Sequence, residues 1–202
     1  MMLGTIFVIA ASLLWGLLHS LLAARSVKDG IRHLSGPVAF DRLYRFSYNF
    51  FAIASFFPIV MMLAVYPDSP LYTIPAPWVY LTSVVQGLAV IVLIATLMQT
   101  DPFEFLGLRQ LNSVEPPTAS TLVTDGWYAY VRHPLYVASL VLLWLIYDMT
   151  INRLVVCAAL TLYLLIGAYF EERKLLTDYG AAYAAYKERV PMFIPRFRTP
   201  KS

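Results

Sequence analysis

Arg132-His133-Pro134-Leu135-Tyr136, an apolar run to Tyr147, the pinch Asp148-Met149-Thr150-Ile151-Asn152-Arg153, a second apolar run to Phe170 and then Glu171-Glu172 together decide the fold. One helix over 134–170 would place Asp148 and Arg153 near mid-bilayer, where each costs about 2.5 kcal/mol or more. Two antiparallel spans, at about 134–147 and 154–170, avoid that cost. They also return Glu171 and Glu172 to the side of the membrane on which Arg132 stands. Each is short for a bilayer, a mismatch that local thinning or burial by neighbours absorbs at modest cost.

Three further apolar runs precede this hairpin, at about 3–24, 44–66 and 78–98. Each has roughly the 20 residues that a helix needs to cross the hydrocarbon core. The whole chain of 202 residues is 59% hydrophobic and 13% charged, well below the charged quarter of a soluble domain. Lipid offers no partner to an open backbone, so the spanning element is the helix. The expected fold is an all-α integral membrane protein, a single domain over 1–202, with five transmembrane helices, a helical hairpin core and a polar C-terminal tail. Pro58 is expected to kink the second span.

Orientation follows from the loops. Arg25, Lys28, Arg32, Arg42 and Arg45 stand against Asp29 and Asp41 between the first two spans, and 171–202 holds seven Lys or Arg against four Asp or Glu. Excess Lys and Arg mark the cytoplasmic side. The loop 67–77 has Asp68 and no basic residue, so it belongs outside. Five spans with the N-terminus outside and the C-terminus cytoplasmic satisfy every loop. Residues 1–24 have no basic stretch ahead of a run longer than a signal peptide's apolar region, so they count as the first span.

Several function classes drop out. A net charge of +3, scattered along the chain, does not suggest nucleic acid. The single Cys157 lies in an apolar run and reads as packing. His19, His33 and His133 are far apart, so no metal is expected, and no Walker loop, His-Glu-x-x-His motif or Rossmann glycine signature is present.

Four stretches stand out, each with an ordinary alternative. Arg132-His133-Pro134-x-Tyr136 opens the fourth span, where Pro suits a first helical turn and His and Tyr suit an interfacial belt. Glu171-Glu172 stands where the fifth span leaves the membrane; acids at such an edge are functional candidates, or else solvated partners of Arg173 and Lys174. The fifth span is expected to run on as a helix until Gly180 breaks it, and a short helix over 181–189 then sets Tyr183 and Tyr186 one turn apart. Val190-Pro191-Met192-Phe193-Ile194-Pro195 is held extended by its prolines, either as an ordinary tail or as free backbone for gripping a planar heterocycle. The stretch 102–109 mixes aromatics with charge and reads as interfacial or as a solvated loop.

Together these spacings are more specific than any one of them. Arg-His-Pro-x-Tyr, a hairpin with Asn152 in its turn, Glu-Glu-x-x-Leu, Gly180, Tyr-x-x-Tyr and Val-Pro-x-x-Ile-Pro resemble the membrane methyltransferase superfamily of isoprenylcysteine carboxyl and phospholipid methyltransferases. That likeness covers about 126–197, the cofactor-binding core it implies. His19-Ser20-x-x-Ala23, Phe105-Leu-Gly-Leu-Arg-Gln110 and the ending Glu-Arg-Val-Pro-Met-x-Ile-Pro are similar to the bacterial methanethiol S-methyltransferase branch.

The resemblance implies S-adenosylmethionine as cofactor, a small-molecule or lipid-like acceptor, and a bacterial inner membrane location among membrane lipids. By the same resemblance Arg132, His133 and Tyr136 contact the amino-acid end of the cofactor. Tyr183, Tyr186 and the segment Val190, Pro191, Ile194 and Pro195 enclose its adenosine. Glu171 and Glu172 supply the catalytic acids, with Glu171 at the family's essential position. Where the isoprenylcysteine branch has an arginine for its carboxylate acceptor, this chain has Ile166 or Gly167. A buried carboxylate needs a paired cation, so a carboxylate acceptor is disfavoured and a thiol or an amine favoured; the reading is methylation of a small or membrane-soluble thiol, with a prenylcysteine carboxyl or a phospholipid amine as the alternative. A non-catalytic accessory protein of the same fold is the reading from outside the enzymes.

Overall fold

The computed structural model describes residues 2–112 and 121–195. Its elements in order are α1 (Met2–Ala23), α2 (Arg25–Ser35), α3 (Pro37–Val65), β1 (Pro70–Thr73), α4 (Trp78–Gln99), α5 (Pro102–Leu106) and α6 (Leu108–Asn112). A 3-10 turn (Gly126–Ala129), α7 (Pro134–Trp144), β2 (Asp148–Thr150), α8 (Ile151–Tyr179) and α9 (Ala181–Arg189) follow. Four of these, α1, α3, α4 and α8, are long and apolar enough to cross a membrane. The architecture is all-helical apart from two short strands.

Differences from the sequence reading have local causes. α3 begins at Pro37 rather than near 44, because Gly36, at φ +80°, turns the chain and Pro37 fits the first helical position. Pro58 lies inside α3 without interrupting it. α7 stops at Trp144 after 11 residues, about 16 Å of helix, so the helical part of the expected fourth span covers only half a bilayer. α8 absorbs the turn residues Ile151, Asn152 and Arg153 and runs on through Glu171 and Glu172 to Tyr179. Gly180 at φ +54° then breaks it and α9 spans Ala181–Arg189, both as the sequence indicated.

The chain forms two compact units. One contains α1, α2, α3, β1, α5, α6, β2 and α8 as far as Leu160. Its buried centre is Val8, Ile59 and Val156, from three helices. β1 pairs antiparallel with β2, Thr73 opposite Asp148 and Tyr72 opposite Met149. Next to this sheet both carboxylate oxygens of Asp68 accept from the Asn152 N–H at 3.2 Å, giving the α8 N-terminus an acceptor from a distant loop. Asn152 is wholly buried, and its Oδ1 accepts from Thr5 Oγ1 at 2.7 Å. The interfacial stretch becomes α5 and α6, with Asp101 capping α5 through bonds from the Phe103 and Glu104 N–H groups. α3 holds that stretch in place: Arg45, Asn49 and Arg42 donate to the carbonyls of Glu104, Phe105 and Leu111.

The other unit contains α4, the 3-10 turn, α7, α8 from Thr161 onward and α9. α4 packs along α7. The antiparallel course of α7 and α8 is fixed at both ends: Trp144 Nε1 donates to Thr161 Oγ1 at 3.0 Å, and Tyr136 Oη donates to Glu171 Oε2 at 2.8 Å. Gly126, at φ +56°, lies so close to the Gln99 side chain that a Cβ would collide with it. Gln99 Oε1 in turn accepts the Trp127 N–H at 3.3 Å, setting where the Arg-His-Pro segment begins.

Candidate functional site

All the residues of the candidate site lie in this second unit. Pro134 occupies the first turn of α7, so His133 precedes the helix in a non-helical conformation and Arg132 lies just beyond it. Glu171 and Glu172 are successive residues of α8, one helical step apart, and so meet different surroundings.

Glu172 faces inward, its side chain 9% exposed. Its Oε1 accepts from Arg132 Nε at 2.6 Å and lies 2.5 Å from Nη2, while Oε2 lies 2.9 Å from Lys187 Nζ on α9. Two cations therefore hold one buried carboxylate, the arrangement under which an ion pair survives desolvation. Arg132 has its remaining donor, Nη1, bonded to the carbonyls of Val190 at 2.5 Å and Lys187 at 3.3 Å. The main chain repeats the link, since the Arg132 and His133 N–H groups donate to the carbonyls of Pro191 and Met192 at 2.9 and 3.2 Å. Part of this extended segment, which reads in sequence either as an ordinary tail or as free backbone, is thus already engaged with the two residues that precede α7.

Glu171 is 45% exposed. Tyr136 Oη donates to its Oε2, and His133 Nδ1 lies 3.6 Å from the same oxygen. The His133 ring stacks on Tyr136 with centroids 5.2 Å apart and is flanked by Phe193 at 5.7 Å. Burial pushes the His133 pKa below its ordinary 6.5, against Glu171 and Glu172, which raise it. The ring is therefore neutral near pH 7, with acceptor capacity on one nitrogen.

Tyr183 and Tyr186 are buried with Val190 in a cluster that includes Leu122, Leu175 and Tyr179. Tyr186 Oη donates to the Tyr128 carbonyl at 2.7 Å. Burial pushes the phenols of Tyr128 and Tyr183 up to about 12, so both remain neutral donors. Tyr183 Oη and His133 Nε2 are buried and make no well-formed hydrogen bond, although His133 Nε2 lies 3.5 Å from Glu172 Oε1 and Tyr183 lies beside Arg132; buried polar atoms so weakly met call for an explanation such as a ligand. Ile194 and Pro195 lie outside the cluster, Ile194 at 80% exposure.

The structure thus brings Arg132, His133, Tyr136, Glu171, Glu172, Tyr183, Tyr186, Val190 and Pro191 together at one end of the α7–α8 hairpin. It adds Lys187, Tyr128, Phe193 and Gln99, which the sequence reading missed. Lys187 had a signal: it follows Tyr183 by four residues and shares its helix face. Gln99 had none, standing 28 residues from Trp127 in the chain. Among the described residues no three His, Cys, Asp or Glu side chains gather in a way that would hold a metal ion.

Fold and site define a mostly helical protein with four helices of membrane length and an acid–base cluster between a helical hairpin and its C-terminal segment. The sequence pattern of the NnrU protein family matches residues 7–197, and the chain belongs to that family. It is also similar to methanethiol S-methyltransferase of Crocosphaera subtropica, 37% identical over 109 residues, which are 52% of this chain and 42% of that protein. Methanethiol S-methyltransferase 2 of Bradyrhizobium diazoefficiens is 36% identical over 115 residues, 55% of this chain and 44% of its own. The Pseudomonas sp. methanethiol S-methyltransferase is 32% identical over 139 residues, 63% and 51% respectively. The chain spans about half the length of these relatives. No solved structure matches.

Proposed function

We propose that this chain is a membrane methyltransferase that uses S-adenosylmethionine to methylate a small or membrane-soluble thiol. The observation that carries the proposal is the contrast between two adjacent carboxylates: Glu172 is buried and neutralised by two cations, whereas Glu171 is half exposed and oriented by Tyr136. Neighbouring acids in unlike environments are the usual mark of divided roles in catalysis. The names of the curated relatives support the reaction class.

Glu171 is the acid that meets the acceptor, taking the thiol proton so that the thiolate is the nucleophile. Bound S-adenosylmethionine would supply a methyl group already activated by its sulfonium charge, which leaves the protein alignment and the exclusion of water. The residues fit such a group. His133 Nε2 and Tyr183 Oη are buried polar atoms with no well-formed hydrogen bond, and the half-exposed carboxylate of Glu171 suits a cationic ligand. Tyr183, Tyr186 and the 190–195 backbone enclose the adenosine in this reading, with Tyr136 and His133 at the amino-acid end. Arg132 acts through Glu172, because its donors are spent on Glu172, Val190 and Lys187.

The proposal takes residues 1–202 as one methyltransferase domain with its cofactor core in 126–197, in a bacterial inner membrane, N-terminus outside and C-terminus cytoplasmic. Support for a fifth crossing is covalent. Glu172, bonded to Arg132, lies about 20 residues along α8 from Ile151, roughly 30 Å of helix. α7 and the non-helical residues after it must cover the same length.

The test is a labelled-methyl assay with the full chain, offering methanethiol, longer thiols, prenylcysteine and phosphatidylethanolamine, beside calorimetry with S-adenosylhomocysteine. Thiols are methylated, and Glu171→Gln abolishes turnover while leaving S-adenosylhomocysteine binding intact. Turnover of prenylcysteine alone would overturn the acceptor assignment. Absence of S-adenosylhomocysteine binding would leave the accessory-protein reading.

A further inference from the structure

A second region of the molecule, within the first unit, has the makings of a ligand site and plays no part in the chemistry above. The end of α1, the short helix α2 and the first half of α3 enclose a groove of about 360 Å³ lined by Leu22, Ile31, Phe40, Leu43, Tyr44 and Phe51, among others. That volume lies within the ~300–1,000 Å³ of typical ligand pockets. Its lining is almost wholly apolar, and its rim is cationic. Lys28 Nζ stands 5.9 Å from the centre of the Tyr44 ring and Arg32 Cζ stands 6.0 Å from that of Phe40, and both rings line the groove.

Arg42 and Arg45 turn to the α5–α6 stretch, where they meet the carbonyls of Leu111 and Glu104 and the Glu104 carboxylate. Arg32 pairs with Asp41 at 3.1 Å, both side chains being more than a third exposed. α2 itself carries Arg25, Lys28 and Arg32 and one acid, Asp29. α2 thus presents net positive charge at the mouth of a hydrocarbon-lined groove, beside helices of membrane length. Clusters of Lys and Arg next to a transmembrane helix attract anionic headgroups at about 1 kcal/mol per residue.

We propose that this groove binds one anionic phospholipid, with an acyl chain along the apolar floor and the phosphate at the Lys28–Arg32 rim. Neither an apolar pocket without the rim nor a basic helix without the pocket would select such a molecule. The two together match its two chemically unlike halves. Long Lys and Arg side chains suit that junction, since their stems lie on apolar surface while their heads reach the headgroup.

The test is native mass spectrometry of the full chain in detergent, titrated with phosphatidylglycerol or with phosphatidylcholine of the same acyl chains. Wild type retains one phosphatidylglycerol per chain, with a preference over phosphatidylcholine of about tenfold. The double variant Lys28→Gln/Arg32→Gln loses the preference. Ala39→Trp, which fills the groove and keeps both cations, loses the retained lipid altogether. Melting temperatures in phosphatidylcholine report whether the variants remain folded, and each variant is a separate check should the other fail to fold. Equal retention of the two lipids by wild type would overturn the proposal, as would a preference that survives in the folded variants, or a groove occupied by a second copy of the chain.

Discussion

Replacing Glu172 by Gln keeps the shape of the side chain and removes the one charge that holds Arg132 and Lys187 together. The Arg132 side chain is 9% exposed, and taking away one partner of a buried pair costs about 3–5 kcal/mol. Arg132 keeps its bonds to the Val190 and Lys187 carbonyls, and Lys187, at 39% exposure, can turn to water. Those two facts put the expected loss at the lower end, about 3 kcal/mol. For a chain of this size that lowers the melting temperature by about 6–12 °C. Glu171→Gln is the control. Glu171 is 45% exposed, and an amide oxygen can still accept from Tyr136, so its loss falls within the ~1 kcal/mol of surface pairs. The assay is thermal unfolding of the full chain in detergent, together with hydrogen exchange at the Arg132 and His133 amides. Those amides donate to Pro191 and Met192, and they exchange faster once the C-terminal segment loosens. A Glu172→Gln protein that melts within about 2 °C of wild type, or a Glu171→Gln protein that falls as far, would refute the division of roles.

Two further outcomes are expected. Burial holds the His133 pKa below 6.5 in the folded chain, so the unfolded chain takes up that proton first as pH falls. The stability that the neutral ring contributes is complete above about 6.5 and lost progressively below it, and melting curves from pH 8 to 5 show a fall that His133→Gln flattens. Gly107→Ala places a Cβ 2.4 Å from the Phe46 backbone nitrogen at φ +82°. It costs about 1–3 kcal/mol of strain, and faster hydrogen exchange confined to α5, α6 and the facing turn of α3 reveals it.

Much of the fold was legible because hydrocarbon must be met by hydrocarbon. The runs at 3–24 and 78–98 became α1 and α4 nearly to the residue, since a long apolar segment has few other ways to satisfy its backbone. Gly180 marked the break between α8 and α9 because glycine tolerates the positive φ found there, and Pro134 marked the start of α7 because its ring fixes a helical φ. The polar pinch reads in sequence as a turn between two spans, at about 134–147 and 154–170. In the structure its first half pairs with β1 and its second half begins α8, with Asp68 as the acceptor for its N-terminus. That acceptor lies 84 residues away, and nothing in the local spacing announces it.

The residue types of the site were visible too. Sequence alone determined that Arg132, His133, Tyr136, Glu171 and Glu172 return to one edge, because two apolar runs joined by a polar pinch must fold back. It also determined that Tyr183 and Tyr186 share a helix face, since helical period dictates it. Only the tertiary structure decided which acid is buried and which is open, and that Arg132 and Lys187 hold one carboxylate between them. Burial and pairing are properties of what surrounds a side chain, and those surroundings come from α9 and the 190–193 segment, which the chain order keeps apart from α7 until it folds.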